Sequence, residues 1–153
     1  GRRDGTVHIK GCRCSSSRTT PAWHSAETST SRATSPSPSR SSSAPAVRVG
    51  NTIYVSGQIG RDDNMQLVEP REAQIVQAFE NLKKVLAAGG ASMDDIVDLT
   101  SFHTDMRDLA LFMEVKDRYL TRDFPAWTAI GAASLCGVPG YIVEIKAVAV
   151  LPS

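Results

Sequence analysis

Residues 44–153 predict an α+β domain, a two-layer sandwich in which two helices lie on one face of a mixed β-sheet in the order β-β-α-β-α-β-β. Three observations predict it. A Gly50-Asn51 pair separates two short β-branched runs, the pattern of a tight hairpin. Two stretches, after Pro70 and after Asp105, repeat apolar residues at three- and four-residue steps. Between and after them lie segments that alternate or run apolar, so strands and helices interleave.

The hairpin runs from Val47 to Gly57, and Arg61-Asp62-Asp63-Asn64 reads as a polar loop. Pro70 opens the first helix, where its missing N–H costs least. Ala73, Val76, Phe79, Leu82, Val85 and Leu86 then share one face, and Gly89-Gly90 ends the helix without a Cβ penalty in the left-handed region. Ile96–His103 is strand-like, with Val97, Leu99, Ser101 and His103 alternating against Ile96, Asp98, Thr100 and Phe102. The Asp105 side chain is placed to cap the second helix, whose apolar line is Leu109, Phe112, Val115 and Tyr119. Pro125 returns the chain to extended structure. Thr128–Leu135 and Tyr141–Leu151 make the closing strands around a Gly137-Val138-Pro139-Gly140 turn. The last strand is apolar on both sides, so the sheet face away from the helices is expected to pack against further copies of the chain.

Residues 1–43 are of another kind. They hold eighteen Ser/Thr and a formal charge of +5, against −4 for residues 44–153, and show no lasting periodicity. A segment so poor in large apolar residues is expected to be disordered. It is Arg- and Ser-rich and poor in acids, as an organellar transit peptide is, yet it lacks a clear amphipathic helix and a starting Met. A low-complexity extension, or a frame or start-site artefact, are the competing readings.

The mildly acidic body does not favour nucleic acid, whose binding rests on neutralising phosphates. No apolar run reaches the roughly 18–20 residues of a membrane span, so a soluble protein is expected, cytoplasmic unless the N-terminal tail directs it to an organelle. Cys12, Cys14 and Cys136 make no disulfide framework, which suits a reducing compartment. Cys12-x-Cys14 with His8 and His24 lacks the second ligand pair of a structural zinc site, so neither a metal nor a cofactor is expected.

Several motifs resemble the Rid superfamily, the reactive-intermediate deaminases also called YjgF-like proteins. Val49-Gly50-Asn51-Thr52-Ile53-Tyr54-Val55-Ser56-Gly57-Gln58-Ile59-Gly60 is similar to the family's opening strand, which ends in Ser-Gly-Gln. Gln77–Leu82, Asp95-Ile96-Val97 and Tyr141–Ala149 follow the family's order through about 110 residues. The resemblance implies a homotrimer around a barrel-like centre, with small-molecule pockets at the subunit interfaces. It also implies an imine or enamine hydrolase in which a strand Glu, here Glu144, orients the attacking water, and in which the backbone of Gly57 borders the pocket.

The resemblance breaks at one point. The deaminases hold a substrate carboxylate with the Arg of Pro-Ala-Arg, and this chain reads Pro125-Ala126-Trp127. An indole has one N–H and no charge, so it cannot replace a bidentate guanidinium. The pattern Thr100–Asp105 with Pro125–Gly131 is most similar to the YjgH-like branch, which also lacks that arginine. A carboxylate ligand would need another cation, and Arg48 or Arg107 are the candidates from sequence.

Each candidate residue has a functional and a structural reading. Glu144 in an apolar strand is a water-orienting group or an interface ion-pair partner. Trp127 is a ligand-stacking pocket wall or a packed tryptophan. His103 is an acid/base or, more in keeping with lone histidines, a structural hydrogen-bonding residue. Cys136, with no nearby His in sequence, has little to activate it as a nucleophile. The function expected is a hydrolase of small imine- or enamine-like molecules. The alternative is a metabolite-binding trimer without turnover, and an endoribonuclease ranks last for want of a basic stripe or a His pair.

Overall fold

The computed structural model describes residues 6–9 and 43–152. The hairpin forms as its turn residues dictate. Strand β2 (Ala46–Val49) pairs antiparallel with β3 (Thr52–Ile59), and Gly50 takes the positive φ of 60° that a two-residue turn demands. A further strand, β1 (Thr6–Ile9), pairs antiparallel with β2 at the sheet edge. These four residues lie in the segment expected to lack regular structure. The other residues of 1–42, including Cys12, Cys14 and His24, lie outside the described ones.

Helix α1 (Arg71–Ala88) follows Pro70 and stops at Gly89, with Gly90 at φ +84°. Its buried face runs through Ile75, Ala78, Phe79, Leu82 and Leu86 and includes one polar residue, Gln74. Ala73, Val76 and Val85 flank that stripe. Strand β4 (Ile96–His103) has the expected bounds. Asp105 then caps a single 3-10 turn, its carboxylate accepting the Arg107 backbone N–H at 2.9 Å, which leads into α2 (Leu109–Tyr119). The closing strands are shorter than the composition suggests: β5 is Ala126–Gly131 and β6 is Val143–Val150. Residues 132–142 instead fold back over the sheet. There Leu135 and Tyr141 bury against Ile59, with Leu67 and Phe102 alongside.

The sheet order is β1-β2-β3-β6-β4-β5, antiparallel except for the parallel β4–β5 pair. Both helices cover the face formed by Ile53, Val55, Leu99, Ile145, Ala147 and Ala149, all at most 1% exposed. Phe79 and Phe112 meet at the centre of this layer, with ring centroids 5.5 Å apart. Burying side chains of that size stabilises the fold by roughly 2–3 kcal/mol each. The opposite face presents Tyr54 and Ile130, 50% and 41% exposed, beside half-buried Val148 and Val150. Among the described residues no helix is long and apolar enough to cross a membrane.

Candidate functional site

Glu144 comes one residue into β6, on the open face, opposite Ile59 of β3 and Phe102 of β4. Between Val55 and Gln58 the β3–β6 register slips, so Ser56 and Gly57 bulge where the partner strand supplies only Lys146. The absent side chain at Gly57 is what admits Glu144. A Cβ there would lie 1.7 Å from Glu144 Oε1 and 2.5 Å from its Cδ. The other carboxylate oxygen, Oε2, accepts from the Cys136 thiol, with Sγ 3.6 Å away. Burial, then the negative charge and hydrogen bond of Glu144, push the Cys136 thiol above its ordinary pKa, while Arg61 acts in the opposite sense. Cys136 reaches this position because residue 136 itself takes a positive φ of 52° in the loop that folds over the sheet.

Two side chains of α1 hold the loops around this carboxylate. Gln74, 2% exposed, donates from Nε2 to the carbonyls of Val68 and Gly140 and accepts the Ile142 N–H at Oε1, 2.7 Å. Asn81 donates from Nδ2 to the carbonyls of Ile59 and Arg61 at 2.9 and 2.8 Å. Both loops are thereby fixed to one helix. A cleft of about 620 Å³ opens between the loop that follows β3, the α1 helix and residues 43–45, lined among others by Ser56, Gly57, Gln58, Arg61 and Asn81. A smaller one, of about 420 Å³, lies within the loop that carries Tyr141.

The other two expected site residues gather elsewhere. Because β5 pairs in parallel with Leu99 opposite Trp127, the indole lies on the helix-covered side of the sheet. It stacks on Phe112 at 5.7 Å between centroids, donates Nε1–H to Ser101 Oγ at 2.9 Å, and has Lys116 Nζ 5.2 Å from its ring centre. His103, 1% exposed, puts Nε2 2.8 Å from the same Ser101 Oγ and its ring edge-on to Phe112. So the chain brings Glu144 together with Gly57, and His103 together with Trp127, but one chain does not join the two groups. Ser101 and Lys116 were missed from sequence. Lys116 was findable, since it stands four residues beyond Phe112 on the same helix face.

Burial holds the His103 pKa below its usual 6.5, although the charge of Asp108, whose Oδ2 is buried without a hydrogen-bond partner among the described residues, works against this. The sign follows. Above about pH 6.5 the imidazole is neutral in folded and unfolded chains alike. As the pH falls below that, the unfolded chain takes up the proton first and the fold loses stability. Urea unfolding at pH 7.5 and 5.5 should therefore show an acid loss that is smaller in His103→Gln. An equal loss in both proteins would mean that His103 contributes nothing to it.

Among the described residues no group of three or more His, Cys, Asp or Glu is placed to hold a metal ion. Arg48 and Arg107, the sequence candidates for a replacement cation, are both engaged. Arg48 donates to the carbonyls of Gly50 and Gly89 at the hairpin end, and Arg107 forks onto both oxygens of Asp105.

Comparison with known proteins gives this arrangement its context. The profile of the Endoribonuclease L-PSP family matches residues 33–151, starting ahead of the boundary expected at residue 44. The RutC family protein YjgH of Escherichia coli (strain K12) is 38% identical over 109 residues, which cover 70% of this chain and 81% of that protein. The 2-iminobutanoate/2-iminopropanoate deaminase of Homo sapiens is 37% identical over 107 residues, covering 69% and 77% respectively. The crystal structure of RidA from the Antarctic bacterium Psychrobacter sp. PAMC 21119 matches with a TM-score of 0.69 at 38% identity, over 72% of this chain and 89% of that one. The chain belongs to the Endoribonuclease L-PSP family, the Rid family of the sequence resemblance.

Proposed function

We propose that the chain is a hydrolase of small imine- or enamine-like metabolites, with Glu144 handling water. The observation that carries this reading is the seating of the Glu144 carboxylate against Gly57, at a bulge in the strand whose Gly57 also lines a cleft. A partly exposed carboxylate held in this way can take a proton from water as the oxygen attacks the carbon of the protonated imine. The carbinolamine so formed collapses when that proton passes to nitrogen and Glu144 takes up the hydroxyl proton, releasing ammonia and leaving a carbonyl compound. Similarity to a protein described as a 2-iminobutanoate/2-iminopropanoate deaminase supports the same reaction class.

Three copies arranged as the family resemblance implies would cover the apolar open face. They would also allow the partly exposed Trp127 of one chain to approach Glu144 of another, while His103 stays enclosed in its own chain. A metabolite-binding trimer without turnover is the second reading, favoured by the tryptophan in place of the Pro-Ala-Arg arginine. The family description names an endoribonuclease, but residues 44–153 carry a net −4 and the buried His103 is their single histidine, a poor set for phosphodiester cleavage.

The test is hydrolysis of a panel of imines, generated in situ from amino acids, by the purified full chain. Glu144→Gln keeps the shape and removes the base, and should lower kcat on the order of 100-fold. An unchanged rate in that variant would refute the mechanism, and no hydrolysis of any panel member would leave the binding reading.

A further inference from the structure

The loop that folds back over the sheet, residues 132–142, is pinned at several points. The Ala132 N–H donates to the His103 carbonyl at 2.7 Å, and Gln74 takes the Gly140 carbonyl and the Ile142 N–H. Leu135 is buried in a cluster with Ile59 and Tyr141. Cys136 comes next, so its place is set by its neighbours. At φ 52° it occupies the left-handed region, where a residue with a Cβ is disfavoured, and Gly137 follows at φ 65°. A residue other than glycine persists there only where its surroundings hold it. That backbone turn carries the thiol back to β6, 3.6 Å from Glu144 Oε2. Among the described residues it is the one hydrogen-bond donor that reaches this carboxylate. On the other side, Oε1 occupies the space that a side chain at position 57 would fill. The carboxylate is thus held between a bulged glycine and a thiol.

We propose that Cys136 is the positioning residue of Glu144, its S–H donating to Oε2 so that the carboxylate stays seated against Gly57. The proposal rests on the reading of Glu144 given above and adds the residue that aims the base. Cys136 acts here as a donor and not as a nucleophile. Burial, then the charge and hydrogen bond of Glu144, push its thiol above the ordinary pKa, so it keeps its proton at neutral pH. A thiol is a weak donor without charge. It orients a carboxylate without closing an ion pair on it, which a Lys or Arg at the same spot would do. Each carboxylate oxygen also has room for a second hydrogen bond, so Oε2 can accept from sulfur and from water together.

In the full chain, Cys12→Ser and Cys14→Ser leave Cys136 as the single thiol, and its rate of reaction with Ellman's reagent reads the contact. Glu144→Gln removes the negative charge and should speed that reaction by roughly threefold or more, since the thiolate is the reacting form. The imine panel reads the positioning. Cys136→Ala should lower kcat about tenfold and leave KM within about twofold, as a loss of aim rather than of binding does. Cys136→Ser keeps an O–H donor and should recover the rate to within about threefold of native. Cys136→Gly suits the positive φ and should melt no lower than Cys136→Ala, yet lose as much kcat, so the lost rate cannot be put down to a damaged fold. The proposal is overturned if Cys136→Ala and Cys136→Gly keep the native kcat, if Cys136→Ser recovers nothing, or if the thiol reacts no faster in Glu144→Gln. The two readings fail separately. Hydrolysis that needs Glu144 but is indifferent to residue 136 removes only this inference. A thiol that speeds up in Glu144→Gln, in a chain that hydrolyses nothing, removes only the enzymatic reading and leaves Cys136 as the holder of the carboxylate.

Discussion

Replacing Gln74 with leucine is expected to lower the unfolding free energy by about 3 kcal/mol and the melting temperature by roughly 15 °C. The substitution nearly preserves volume, so cavity formation is not the cause. What disappears is one amide that satisfies three backbone groups from two different loops: the carbonyls of Val68 and Gly140 and the N–H of Ile142. The Ile142 N–H is buried and the two carbonyls are partly so; a group left buried without a partner costs on the order of 1–3 kcal/mol, and the apolar side chain returns part of that. Urea unfolding of the two proteins measures the difference. A loss below about 1 kcal/mol would mean that water reaches these groups and that α1 does not pin the loops in the way described.

The second large effect concerns activity and not stability. Gly57→Ala should leave the fold nearly as stable as before, because the atoms in the way belong to the movable end of the Glu144 side chain. The carboxylate, however, must leave its seat. Hydrolysis should then fall about as far as in Glu144→Gln, on the order of 100-fold. The double variant should be no worse than either single one, since both remove the same group from the same place. Effects that multiply would show that Gly57 acts on its own, for example through its backbone at the bulge. A fully active Gly57→Ala would show that the position of Glu144 is immaterial.

These predictions depend on contacts of unequal legibility. Helix α1 and strand β4 could be read directly, because Phe79, Leu82 and Leu86 repeat at helical steps and Leu99, Ser101 and His103 at alternate positions. The end of β5 could not. Leu135, with Ala132 beside it, is as apolar as a strand residue, but it buries against Ile59 by folding over the sheet, and composition does not distinguish those two kinds of burial. Local pattern also hid the edge strand Thr6–Ile9, whose ordering depends on a partner, β2, some forty residues along the chain.

The site shows the same division. Pairing Glu144 with Gly57 was available only through family resemblance, since nothing local relates a strand carboxylate to a glycine in another strand. Trp127 could be placed at its motif position but not on a face. The parallel register that sets Leu99 opposite Trp127 turns its ring toward α2, and a sequence motif does not carry that register. Arg61, Cys136 and Gln74 act across many residues of separation, where periodicity is silent.

The location of Trp127 and Glu144 on opposite sides of a sheet has one more consequence. A molecule the size of an amino acid cannot reach through a layer of hydrogen-bonded backbone, so contact with both residues would require two chains. Occupancy of such a composite site would then follow protein concentration as well as ligand concentration, and dilution alone would dismantle it.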